Sequence, residues 1–316
     1  LFIRDDGSIL IYTLSDFSLI KKFGREGQGP GEFHDSPFLT ITGDEIFIGE
    51  RIKIMRFSRN GDFLAETKLP YSYIGYYPLV PVGNNYVGVP VSRVDSSGFR
   101  QIGNIYNSEF EQIRQFYETI PFRTSPPPPP PKPGSKTAPA IINEDFEVIR
   151  DYVSYEVSED KIFVADTRKG FFIAVFDSKG QPLYEINHPY KETKVPKQFK
   201  DAFYDRIQQS DHADELFRRN NYLFRKVFPA FVEFQINDGK IYVTTSIHKD
   251  NLYEIAVLDL KGEILKRSLS LPSKLYLRAL HNNLGTRVYA IHDNKIYSLD
   301  YNDDEEIYKL HIHALK

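Results

Sequence analysis

Acidic and basic residues recur in close pairs along the chain, nearly all just after an apolar run: Asp5 and Asp6, Glu50 and Arg51, Arg93 and Asp95, Asp166 and Arg168, His248 and Asp250, and His292 and Asp293. Side chains of these types can do three kinds of chemistry. An imidazole beside a carboxylate is an acid–base pair. Several carboxylates converging on one point hold calcium. Guanidinium groups grip anionic or hydrogen-bonding solutes. The candidate ligand-binding set is therefore Asp6, Glu50, Arg51, Arg93, Asp166, Arg168, His248, Asp250, His292 and Asp293. A lactonase or lyase would set His248 or His292 against Asp250, Asp293 or Glu50 and add an electrophile-stabilising group. The plainer use of such residues is in turns, where Asp, Asn and His are favoured for backbone reasons.

Other chemistry is narrowed by what the sequence lacks. Nearly every pair carries Arg, Lys or His, which opposes a dication, so no metal ligands and no catalytic residues are assigned. There is no Cys, hence no thiolate and no disulfide framework. No Gly-x-Ser-x-Gly elbow, phosphate-binding Gly-x-x-x-x-Gly-Lys-Ser/Thr loop or His-Glu-x-x-His helix occurs, and no cofactor is implied. The net charge of -3 comes from balanced acids and bases without a long basic run, which removes the source of nucleic-acid affinity.

The paired residues need elements to position them, and those are strands. The chain of 316 residues is 14% aromatic, with 24 Phe and 21 Tyr but no Trp, a composition suited to pleated, half-buried surfaces. One unit recurs: an apolar strand, a polar turn, a second strand and a third. Its middle strand is read at Leu1-Phe2-Ile3, Ile46-Phe47-Ile48, Tyr86 to Val89, Ile162 to Ala165, Ile241 to Thr244 and Val288 to Ile291. A period of about 40 residues fits a four-stranded blade. The expected fold is thus all-β, a six-bladed β-propeller of four-stranded antiparallel blades in a single domain. Its blades fall near residues 1–23, 36–69, 74–119, 147–188, 230–271 and 275–313. The first copy lacks its opening strand, so the natural chain is expected to begin further upstream, and residues 296–312 are expected to close the ring by pairing with the first blade.

Two stretches break the unit, residues 121–140 and 189–229, both between blades. Six consecutive prolines in the first favour extended polyproline II, either as a semi-rigid linker or as a ligand for an aromatic groove. In the second, Phe199, Ala202, Phe203 and Ile207 share one side of a helix expected after Pro196, and Leu216, Phe217, Leu223 and Phe224 suggest a second helical piece. A small helical insertion is therefore expected between blades 4 and 5, packed over the blades. Strand alternation puts the turn between second and third strands on the same end as the links between blades. The charged pairs and the insertions should share one face. The loop Gly27-Gln28-Gly29-Pro30-Gly31 precedes a strand rather than a helix, so it reads as a tight crossing between blades and not as a phosphate cradle.

The run Phe23 to Phe33, with Ser36-Pro37-Phe38, residues 46–62 and Ile162 to Arg168, resembles the NHL-type repeat, most closely that of the TolB-like six-bladed propeller lipoproteins of Bacteroidetes. The resemblance implies an exported protein, periplasmic or held at the outer membrane by an upstream lipidated Cys. It further implies a monomeric binding or scaffold propeller with a protein, peptide or glycan partner at the elaborated face. A hydrolase or lyase at the channel mouth is the alternative.

Overall fold

Antiparallel hairpins dominate the computed structural model, which describes residues 1–5, 7–33, 38–50, 52–69, 79–88, 91–95, 98–118, 144–151, 153–209, 220–281, 288–302 and 307–316. Blade 1 holds β1 (Phe2–Asp5), β2 (Ser8–Tyr12) and β3 (Leu19–Phe23). Blade 2 holds β4 (Phe38–Thr42), β5 (Glu45–Gly49), β6 (Lys53–Ser58) and β7 (Phe63–Lys68). In blade 3, β8 (Val80–Val82), β9 (Asn85–Gly88), β11 (Gly98–Tyr106) and β12 (Gln112–Glu118) pair in order, and β10 (Val91–Asp95) extends the hairpin of β11. After β13 (Glu144–Glu147), blade 4 is β14 (Val153–Ser158), β15 (Lys161–Asp166), β16 (Phe171–Asp177) and β17 (Pro182–His188).

Helix α1 (Lys197–Gln208) and strand β18 (Asn220–Leu223) precede blade 5, which is β19 (Phe231–Asn237), β20 (Lys240–Lys249), β21 (Leu252–Asp259) and β22 (Ile264–Pro272). Helix α2 (Ser273–His281) leads to blade 6: β23 (Tyr289–His292), β24 (Lys295–Asn302) and β25 (Ile307–Ala314). The protein is a six-bladed β-propeller whose blades are mostly four-stranded and antiparallel.

Inner strands succeed one another around the axis, β8 against β14, β14 against β19 and β19 against β23. Apolar side chains of neighbouring blades interdigitate between them. Phe163, Ile173 and Val175 of blade 4 pack with Phe234, Ile241 and Val243 of blade 5, and Ile9 and Phe23 of blade 1 with Ile46, Met55 and Phe57 of blade 2. Each fully buried side chain of this size is worth about 1.5 to 3 kcal/mol, so the blade interfaces hold the fold together. The glycine loop behaves as a crossing. Gly24 has φ +75°, and a Cβ there would overlap the Phe33 ring, whose side chain is fully buried against blade 2.

Four expectations are corrected. The stretch from Leu275, expected to open blade 6, is helix α2; Leu275, Tyr276, Ala279 and Leu280 bury one helical face. The first strand of blade 6 is consequently β23, and residues 288–291 are not a second strand. Leu223 ends strand β18 rather than a helix, because β18 pairs in parallel with β13, which satisfies its backbone groups. Ring closure by residues 296–312 is not formed either: β24 pairs with β23 and β25, and among the described residues no ladder joins them to blade 1.

The proline run at 121–140 and Leu216 and Phe217 lie outside the described residues. Helix α1 begins after Pro196 as expected and buries Phe203 and Ile207 beneath the insertion, but Ala202 faces solvent.

Candidate functional site

Chain direction sorts every connection to one of two ends. Turns between second and third strands share an end with the links between blades; turns between first and second strands share the other. Glu50, Asp166, His248 and Asp250 stand at the first end, on the turns after β5, β15 and β20. His292 and Asp293 do not. Their turn joins β23 to β24, the first two strands of blade 6, and His292 Nδ1 lies 3.0 Å from Asp238 Oδ2 in the corresponding turn of blade 5. The two histidines are on opposite ends of the propeller, so an acid–base pair built from both is excluded. Asp6 and Arg51 lie outside the described residues, and Arg93 is placed only by its backbone, opposite Phe99 in the β10–β11 hairpin.

A dense polar centre forms over blade 4. Strand β15 ends in Asp166, only 1% exposed, and a single 3-10 turn brings Arg168 back onto it. Arg168 grips the carboxylate with both prongs, Nε to Oδ1 at 2.7 Å and Nη2 to Oδ2 at 2.5 Å. Tyr117, from the outer strand of blade 3, donates its hydroxyl to Oδ2 at 2.7 Å. Burial alone would raise the Asp166 carboxyl, but the hydrogen bonds from Arg168 and Tyr117 outweigh it and hold the group below the ordinary carboxylate range. Burial and the Asp166 charge push the Tyr117 hydroxyl well above its usual value.

Beside this clamp, Asp151 accepts from Arg225 Nη1 at 2.7 Å and from Thr167 Oγ1 at 3.4 Å. Four separate segments meet here: the outer strand of blade 3, the two links flanking blade 4, and the blade's own turn. Lys169 leans over the Phe172 ring at 4.4 Å and borders a groove of about 220 Å³ lined also by Tyr117, Phe176, Leu183 and Glu185.

The other turns are committed differently. The Glu50 carboxylate is buried 4.0 Å from Lys53 Nζ, which donates to Glu66 Oε2 at 3.1 Å and to the Glu32 carbonyl at 2.7 Å, fastening the glycine loop. His248 is exposed and stacks on Tyr253, which stacks on Tyr276 with centroids 3.6 Å apart; Tyr276 in turn meets Ser246 Oγ at 2.9 Å. Asp250 is an exposed turn residue with φ 48°.

At the same end of blade 6, Asp300 receives Lys274 at 2.9 Å and Arg278 at 2.8 Å from α2. These contacts, Lys274 foremost, lower its pKa. Asp300, Tyr117 and Asp151 were missed from the sequence because their partners are distant in the chain, and Lys53 because the contact that fastens the glycine loop, to the Glu32 carbonyl, spans 21 residues. Among the described residues no group of three or more His, Asp or Glu is arranged to hold a metal ion, and no helix is long and apolar enough to cross a membrane.

No protein-family model matches the chain, and no curated protein matches it. The chain is similar to a solved protein of unknown function from Bacteroides caccae, at 9% identity over 96% of this chain and 83% of that one, with a TM-score of 0.36. It is similar to apo AztD from Citrobacter koseri, at 12% identity over 100% and 97% of the chains, TM-score 0.36. The WD40 domain of Pan2 from Neurospora crassa matches at 10% over 88% and 61%, TM-score 0.30. Likenesses at this level carry no statement about ligand, partner or reaction.

Proposed function

We propose that the chain is a non-catalytic binding propeller of the bacterial cell envelope, exported, and holding a protein or peptide partner on the end that carries the links between blades. One observation supports this most. The charged side chains over blade 4 are spent on fastening loops to one another: Asp166 to Arg168 and Tyr117, and Asp151 to Arg225. A carboxylate gripped by a guanidinium and held below its ordinary pKa is a poor general acid at neutral pH, whereas a rigid end is what recognition without loop ordering needs. The parallel pairing of β13 with β18 adds to this, since it ties the two longest links into one surface.

The groove beside Lys169 is the place to test. Envelope proteins captured by the purified chain are compared with those captured by Lys169→Glu and Tyr190→Ala, two exposed positions on that end. Loss of the same captured species in both variants, with the melting temperature unchanged, is the expected result. Unchanged capture would remove this end from the binding account. A turnover that requires His248 would replace the proposal by the hydrolase or lyase alternative.

A further inference from the structure

Over blade 4, one cation is not spent on fastening loops. Arg168 is closed on Asp166, and Tyr117 gives its hydroxyl to the same carboxylate. Lys169 is exposed; its ammonium lies 4.4 Å from the Phe172 ring centroid and 5.6 Å from that of Tyr117, and among the described residues no carboxylate pairs with it. Aromatic faces attract an ammonium but accept little hydrogen bonding, so its N–H donors stay open to an anion.

The groove that Lys169 heads runs down the outer flank of blade 4, between β12 of blade 3 and β16. Phe172, Ala174 and Phe176 alternate along β16 and so share one face, an apolar floor about 13 Å from first to last. Tyr117 meets Phe176 edge-on, with ring centroids 6.2 Å apart. Glu185 is exposed and sits opposite Ala174 in the β16–β17 ladder, two residues or roughly 7 Å down the strand from Phe172.

These features select the occupant. A single open ammonium calls for an anion, and Glu185 on the same groove opposes a second negative charge, so one carboxylate fits where a phosphate group does not. The floor beside the ammonium is apolar, so the carboxylate belongs to an apolar group. The volume of about 220 Å³ is below the roughly 300 to 1,000 Å³ of small-molecule and cofactor pockets, which suits one large side chain rather than a long acyl chain. We infer that the groove binds the free carboxyl terminus of an extended peptide whose last residue is apolar, with the terminal carboxylate on Lys169 Nζ and the last side chain on Phe172 and Ala174. This rests on the reading that the chain holds a protein or peptide partner at this end, and it names the part of the partner that is recognised.

The test is fluorescence anisotropy of an amino-terminally labelled peptide ending Gly-Ser-Gly-Leu with a free carboxyl group. It is compared with the same peptide as its amide and with the terminal Leu replaced by Asp. The free acid should bind saturably with a dissociation constant below about 1 mM. The amide, the Asp-ended peptide and the Lys169→Met protein should each bind about 10-fold more weakly or worse, with the melting temperature of Lys169→Met unchanged because the side chain is exposed. Glu185→Ala should narrow the gap between the Leu-ended and Asp-ended peptides. Equal affinity for acid and amide, or no saturable binding, would overturn the inference. Displacement by inorganic phosphate or by N-acetyl-leucine as effective as by unlabelled peptide would overturn it too, because a small free anion would then be the ligand. Loss of envelope-protein capture in Lys169→Glu without any binding of the peptides would sink this inference and leave the binding end standing; unchanged capture as well would remove both.

Discussion

Asp166 shows how a turn residue becomes an anchor. A short polar side chain after an apolar strand is ordinary turn chemistry, but 1% exposure forces its charge to be matched, and Arg168 and Tyr117 match it. Removing the charge takes the bidentate carboxylate away from the mostly buried Arg168 guanidinium, so Asp166→Asn should lower unfolding free energy by roughly 3 kcal/mol in a urea titration. The pH dependence has a definite sign. With its folded pKa lowered, Asp166 contributes stability that is present above the unfolded carboxyl value of about 4 and lost as pH falls through the folded value. The wild type should therefore lose its advantage over Asp166→Asn as pH drops from about 5 toward the folded pKa, and equal slopes for the two would contradict the clamp. Gly24 makes a backbone argument of the same size. Gly24→Ala combines positive φ with overlap of the Phe33 ring and should cost about 1 to 3 kcal/mol, measured by the same titration.

At the scale of elements, the links between blades are structural parts rather than appendages. Helix α1 places Phe203 and Ile207 in a cluster with Phe228, Tyr276 and Ile149, drawn from three different links, and Phe199 packs edge-on against Phe228. Phe203→Ala should therefore cost about 3 to 5 kcal/mol locally. Proteolysis within residues 189–229 is the readout; cleavage accelerated there while blade 1 stays resistant is the expected pattern, and unchanged cleavage would show α1 loosely laid. The helical stripe was legible because Phe199, Phe203 and Ile207 follow a 3.6-residue period. Strand β18 was not, because its partner β13 lies more than 70 residues earlier and a four-residue strand carries no period of its own. Helix α2 escaped for a related reason: Leu275-Tyr276-Leu277 is a short apolar run that fits a buried strand as well as a helix, and its helical face is decided by the blade 5 and blade 6 side chains beneath it.

The whole molecule decides which residues meet. His248 and His292 both sit beside Asp-containing turns with positive φ, Asp250-Asn251 and Asp293-Asn294, so local sequence cannot tell one end of a blade from the other. Only the strand count settles that they are on opposite ends. Replacing both by Ala should leave partner capture within about twofold and stability within about 1 kcal/mol, since His248 is exposed and His292 is paired only across a surface turn; loss of capture would return His248 to the binding surface. What the sequence by itself determined was the repeat: apolar runs of strand length, turn residues between them and a constant period suffice for six blades, because each blade is specified by local hairpins. What only the tertiary structure decided was the surface, since Asp166 with Tyr117, Asp151 with Arg225 and β13 with β18 all depend on contacts between segments far apart in the chain, and no local pattern encodes which of them will be neighbours.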